Sequence, residues 1–196
     1  MNLRGFYGIA DSGFGDPEAQ VRLLIDARAC AIQLRCKEWS ASDVEEIAKA
    51  VFPLCDQAGI PLILNDLFLP DCSHGSHLGQ EDGPLRRTDC PKGFLIGRST
   101  HSLIQLSDAI EEGVDYAGFG PVFSTTTKKT AGPALGLDTL KKAAQLDLPL
   151  VAIGGITLSS LPLVHRSGVS MWTAISSIWS APDPSAVLRK FTKLSD

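Results

Sequence analysis

Short apolar runs alternate along the chain with longer amphipathic ones. GFYGIA (5–10), CAIQLR (30–35), PLILN (61–65), GFLIG (93–97), VDYAGFG (114–120), PLVAIG (149–154) and VSMWTAI (169–175) have the length and composition of buried strands, and SHLG (76–79) fits as a short fourth one. Helical spacing fills most of the gaps. It covers 17–28 behind Asp16 as N-cap and 40–57 behind Ser40, where Val44, Ile47, Ala48 and Val51 form an apolar face. Further helices are predicted over 102–112, 137–145 and 159–166, and a last one opens at Pro184. The stretch after the third strand is short, poorly helical and broken by Pro70. Strand–helix alternation implies parallel pairing through right-handed crossovers. Eight such units predict a closed (β/α)8 barrel of the TIM type, as one domain over 1–196, with a doubly wound open sheet as the competing arrangement.

Composition narrows the partners. The 196 residues are 44% hydrophobic and 20% charged, enough to bury a core without staples, and the net charge of −4 comes with no basic block. Nucleic acid and anionic membrane are therefore not expected as partners. Cys30, Cys36, Cys55, Cys72 and Cys90 are odd in number and scattered, as reduced thiols in a cytoplasmic protein would be. No apolar run is long enough to span a bilayer, and MNLRGFYGIADS lacks the apolar core of a signal peptide.

In such a barrel chemistry gathers at the C-terminal strand ends. After the second strand, Gln33, Arg35 and Lys37 share one face and Leu34 and Cys36 the other. Two cations turned inward would need an anion, since burying them unpaired is costly; the alternative is a solvated strand end. Asn65-Asp66 and Gln80-Glu81-Asp82 put carboxylates at neighbouring strand ends, either as Mg2+ ligands or as ordinary turn residues. Ser99 and Thr100 suit a phosphate or the cap of the next helix. The run Ser124-Thr125-Thr126-Thr127-Lys128-Lys129 suits a phosphate or a solvated loop. Gly155 allows close backbone approach to a ligand, and Ile175-Ser176-Ser177 closes the eighth strand where such barrels often bind phosphate. The four histidines show no metal spacing, and no Ser/His/Asp set is visible. His77 reads as structural, and Trp172 and Trp179 as packing residues.

As an ordered set, QLRCK (33–37), ND (65–66), HLGQED (77–82), GRSTHS (97–102), DYAGFGPVF (115–123), TTTKK (125–129) and AIGGI (152–156) resemble the thiamine phosphate synthase family. The resemblance implies a Mg2+-dependent transferase that joins hydroxymethylpyrimidine diphosphate to hydroxyethylthiazole phosphate and releases diphosphate. Carried over by motif, it implies that Gln33, Leu34, Arg35, Cys36, Lys37, Asn65, Ser99 and Lys128 bind the pyrimidine diphosphate, with Arg35, Lys37 and Lys128 acting in catalysis. Thr125, Thr126, Thr127, Gly155, Ile175 and Ser176 would bind the thiazole phosphate, and Asp66 and Asp82 the metal.

The chain departs from the pattern in four places. Cys36 stands where an acidic residue is usual, Arg98 where a small apolar one is, and Ser124 where proline is common. The third βα unit, between Asp66 and His77, is shorter than in the family. Two other functions compete with the synthase. Related thiazole tautomerases share the barrel, but their catalytic histidine aligns with Pro121, which cannot transfer a proton. A non-catalytic phosphate-binding regulatory barrel is the other alternative.

Overall fold

The structure, a computed structural model, describes residues 3–125, 127 and 132–193. Eight parallel strands pair in chain order, and the last closes on the first. They are β1 (Gly5–Asp11), β2 (Ala31–Arg35), β3 (Leu62–Asn65), β4 (Gly75–Leu78), β5 (Leu95–Thr100), β6 (Tyr116–Phe119), β7 (Leu150–Ala152) and β8 (Met171–Trp172). The closed barrel, not the open sheet, is therefore the fold.

Period-two alternation divides the core into two layers. Tyr7, Ile9, Ala31, Tyr116, Val151 and Met171 fill the barrel interior. Residues one step away, such as Phe6, Ile32, Leu34, Leu62 and Leu64, face the surrounding helices. The helices are α1 (Pro17–Asp26), α2 (Ala41–Ala58), α3 (Leu103–Glu112), α4 (Gly136–Ala143), α5 (Leu161–His165), α6 (Ser176–Trp179) and α7 (Pro184–Thr192). Asp16 caps α1 by accepting from the Glu18 and Ala19 amides, and Ser40 caps α2 by accepting from Asp43. Val44, Ala48, Val51 and Cys55 are buried on the inner face of α2. Trp172 and Trp179 do pack in the core, where their indole N–H groups donate to the carbonyls of Phe191 and Ile9.

Several boundaries differ from the sequence pattern, most of all around β5 and β8. A turn through Gly93, at φ 84°, delays β5 until Leu95, so β5 runs through Ser99 and Thr100 instead of ending before them. The cap of α3 is consequently Ser102, whose Oγ accepts from the Gln105 amide, and neither Ser99 nor Thr100 serves. Of the apolar run 169–175, only Met171–Trp172 pairs as strand.

The ring of helices has a gap. Between β3 and β4 the chain makes only a 3-10 turn at Pro70–Cys72, and between β4 and β5 only another at Arg87–Asp89. The barrel wall around β4 is braced by irregular chain instead of helix.

Candidate active site

The C-terminal strand ends open on a cavity of about 630 Å3. Gln33, Arg35 and Lys37 line it together because alternation turns all three inward from β2. Leu34 and Cys36 point the other way and are buried toward the helices. Burial pushes the Cys36 thiol up to about 11. Any contact of these two residues with a ligand in the mouth would have to come from their backbone.

The inward cations are not left unpaired. Arg35 Nη1 lies 2.5 Å from Asp11 Oδ2, at the end of β1, and Lys37 Nζ lies 3.8 Å from Asp66 Oδ2. Asp11 is itself buried and tied down: its Oδ1 accepts from the Gly13 amide, and its backbone exchanges hydrogen bonds with the Gln20 amide side chain. Gln33 Nε2 donates to Asn65 Oδ1 at 3.3 Å, and Asn65 Nδ2 donates to Asp66 Oδ2 at 2.6 Å. A polar rim thus runs from β1 to the end of β3.

Asp66 continues that rim in the left-handed region, at φ 60°, where Asp and Asn are tolerated better than most side chains. Its amide donates to the His77 carbonyl. This turn brings its carboxyl against that of Asp82, and burial together with the Asp82 charge pushes the Asp66 carboxyl above the usual carboxylate range, with Lys37 opposing the shift. Asp82 Oδ2 accepts from the Gly79 amide at 2.6 Å. Two carboxylates that repel in the bare protein are a donor set suited to a divalent cation. Among the described residues no three His, Cys, Asp or Glu side chains converge on one point, so the pair offers two ligands and leaves positions for other oxygens. The short third unit therefore still brings Asp66 and Asp82 together.

The floor of the cavity is a chain of hydrogen bonds. Ser99 Oγ is 3.0 Å from His77 Nε2, His77 Nδ1 is 3.1 Å from the Tyr116 hydroxyl, and Tyr116 is 2.8 Å from the Tyr7 hydroxyl. Burial pushes both phenols up, so they stay protonated. The sequence reads His77 as structural and does not show its place in this series, because its ring nitrogens find partners on β5 and β6, far along the chain.

The opposite wall has no charged groups among its described residues. Thr127 Oγ1 donates to Ser176 Oγ at 3.1 Å, and the Thr127 amide donates to Thr125 Oγ1. Ile175, Gly154 and Gly155 complete this side. Gly154 and Gly155 have φ 98° and 63°, and a Cβ on Gly155 would lie 2.5 Å from the Ser124 carbonyl. The close approach that Gly155 permits is thus first to the loop after β6. Thr126, Lys128 and Lys129 lie outside the described residues.

The family described as thiamine monophosphate synthase matches residues 6–178. The thiamine-phosphate synthase of Methanocella arvoryzae is 37% identical over 193 residues, covering 93% of this chain and 91% of that protein. That of Herpetosiphon aurantiacus is 36% identical, covering 94% and 93%. Among solved structures, a thiamine phosphate pyrophosphorylase from Pyrococcus furiosus superposes with a TM-score of 0.87 at 28% identity, covering 99% of this chain and 96% of that one.

Proposed function

Because the chain belongs to the thiamine monophosphate synthase family and its activity is that of a thiamine-phosphate synthase, a transferase of thiamine biosynthesis, we propose that the two walls of the mouth divide the substrates between them. The charged wall takes hydroxymethylpyrimidine diphosphate and the hydroxyl-and-glycine wall takes hydroxyethylthiazole phosphate. One observation carries this division: Arg35, Lys37, Asp66 and Asp82 all sit on one side, and the Thr125, Thr127 and Ser176 hydroxyls on the other.

The reaction forms a C–N bond from the thiazole nitrogen lone pair to the pyrimidine methylene carbon. The C–O bond to diphosphate breaks, and its electron pair leaves with the diphosphate. The nitrogen carries no proton, so no general base is needed. Negative charge grows on the leaving oxygens, and Arg35 and Lys37 are aimed there, with Lys128 assigned the same task by motif. Donors placed in advance at such a position are worth about 3 kcal/mol each in the barrier. Asp66 and Asp82 would hold Mg2+, which supplies further positive charge to the same oxygens. Gln33 and Asn65 orient the first substrate, together with Ser99 and the backbone at Leu34 and Cys36. Thr125, Thr127, Gly155, Ile175 and Ser176 seat the thiazole phosphate, joined by Thr126 from the sequence motif. Holding both reactants in one mouth supplies orientation.

This reading treats 1–196 as one domain that acts on small molecules in the cytoplasm. It is supported by five free thiols and by the lack, among the described residues, of a helix long and apolar enough to cross a membrane. The direct test supplies both substrates with Mg2+ and measures thiamine phosphate. Product is expected. Folded protein that isomerises a thiazole phosphate without coupling would replace this reading with a tautomerase, and binding of Mg2+-diphosphate without turnover would replace it with a regulatory barrel.

A further inference from the structure

The gap in the helical ring falls beside the metal pair. Residues 79–94 cross from β4 to β5 without an α-helix, so the carbonyls of this irregular segment need donors from elsewhere. Arg98 supplies two of them. It lies on the outward face of β5, and its side chain is only 6% exposed. Nη1 donates to the Gly79 carbonyl at 2.7 Å and to the Asp82 carbonyl at 3.0 Å. Nε donates to Glu112 Oε2 at 3.0 Å and Nη2 to Glu112 Oε1, at the end of α3. The guanidinium is thus neutralised on one edge while the other grips both ends of the segment 79–82. A lysine has neither the planar fork nor enough donors in fixed directions to reproduce this.

The same segment is pinned twice more. The Gly79 amide donates to Asp82 Oδ2, and Gln80 Nε2 donates to the Ser99 carbonyl at 2.5 Å. Asp82 is consequently fixed at its carbonyl by Arg98 and at its carboxylate by Gly79. That restraint opposes a real force, because two facing carboxylates drive Asp82 away from Asp66.

We propose that Arg98, neutralised by Glu112, is a positioning residue that holds Asp82 against Asp66 and so sets the affinity of that pair for a divalent cation. It replaces, with one buried side chain, the bracing that a helix after β4 would give. The proposal rests on the assignment of Asp66 and Asp82 as the metal pair.

The test measures Mn2+ binding to the full chain by the electron paramagnetic resonance of free Mn2+, without diphosphate, which would itself chelate the ion. It compares Arg98→Lys, Glu112→Gln and Asp82→Asn with the unmodified protein. Arg98→Lys is expected to weaken Mn2+ binding about 10–100-fold, the usual effect of removing a group that orients a metal ligand. Glu112→Gln is expected to weaken it less. The Mg2+ concentration for half-maximal activity should rise in the same order, and KM for the thiazole phosphate should stay within about twofold, well below that change. Hydrogen exchange at the Gly79 amide should quicken in Arg98→Lys. A lower melting temperature with unchanged Mn2+ affinity would overturn the proposal. Asp82→Asn separates the two layers of the argument. If it binds Mn2+ normally, the metal assignment fails and the strut fails with it. If it binds weakly while both Arg98→Lys and Glu112→Gln bind normally, the strut alone fails. Glu112→Gln keeps the question answerable if Arg98→Lys does not fold.

Discussion

The two walls of the mouth are built on opposite principles. Around β1 to β4 the groups that matter are side chains, charged and paired: Arg35 with Asp11, Lys37 with Asp66, and Asp66 against Asp82. Around β6 to β8, among the described residues, they are neutral hydroxyls on loops that fit together because Gly154 and Gly155 lack a Cβ. The first wall stores electrostatic tension and needs mechanical restraint. The second, in its described residues, is set by shape and holds no comparable tension. Substitutions on the first should therefore act on the chemical step and on metal use, and substitutions on the second on substrate affinity and on folding.

The sharpest break is Asp66→Ala. We expect kcat to fall about 10²–10³-fold or more, as when a group that stabilises developing charge is lost, with little change in KM for the thiazole phosphate. Steady-state kinetics on both substrates check this, and an equal loss in thiazole affinity would erase the division between walls. Gly155→Ala comes next. Its left-handed backbone alone costs about 1–2 kcal/mol, and the contact with the Ser124 carbonyl adds to that. Thermal melting should show the loss together with a raised KM for thiazole phosphate. Ser176→Ala removes one neutral hydrogen bond, worth about 1 kcal/mol, so KM for the thiazole phosphate should rise about fivefold while kcat holds.

The smallest effect runs against intuition. The folded-state pKa of Asp66 is raised, so between its unfolded and folded values the folded protein holds a proton that the unfolded chain has lost. The metal-free protein should lose stability as pH rises through that window. Asp66→Asn keeps a side chain that tolerates φ 60° but carries no charge, so it should melt slightly higher than the native chain at neutral pH and flatten the slope. Melting curves over the acid range in a chelator test this. A lower melting temperature would show that the facing carboxylates cost nothing.

The barrel was legible because a buried parallel strand writes itself as an apolar run, and the order of runs writes the topology. Gln33, Arg35 and Lys37 could be placed on one face because period two is a local rule, and the same rule set Leu34 and Cys36 apart. What pairs with what was not legible. Asp11 meets Arg35 only after β1 and β2 come together, and His77 meets Ser99 only across the β4–β5 pair. The sequence marked Arg98 as unusual, but its partners Asp82 and Glu112 lie 16 and 14 residues away on different elements. Gly155 was legible as a place of close approach, though not as one between two loops. Boundaries failed where a turn decided them, as at Gly93 before β5.

The hydrogen-bonded floor has a consequence of direction. Four groups in series, Tyr7, Tyr116, His77 and Ser99, share hydrogens that point one way along the chain whenever the His77 imidazole is neutral. If Tyr7 donates to Tyr116, and Tyr116 to His77 Nδ1, the ring carries its own hydrogen on Nε2 and gives it to Ser99. Ser99 then turns its hydroxyl hydrogen outward, toward an anion. Reversed, the series would present the anion with a lone pair. With a neutral imidazole, the polarity of one serine at the mouth is therefore tied to the direction of a series that ends on the buried phenol of Tyr7.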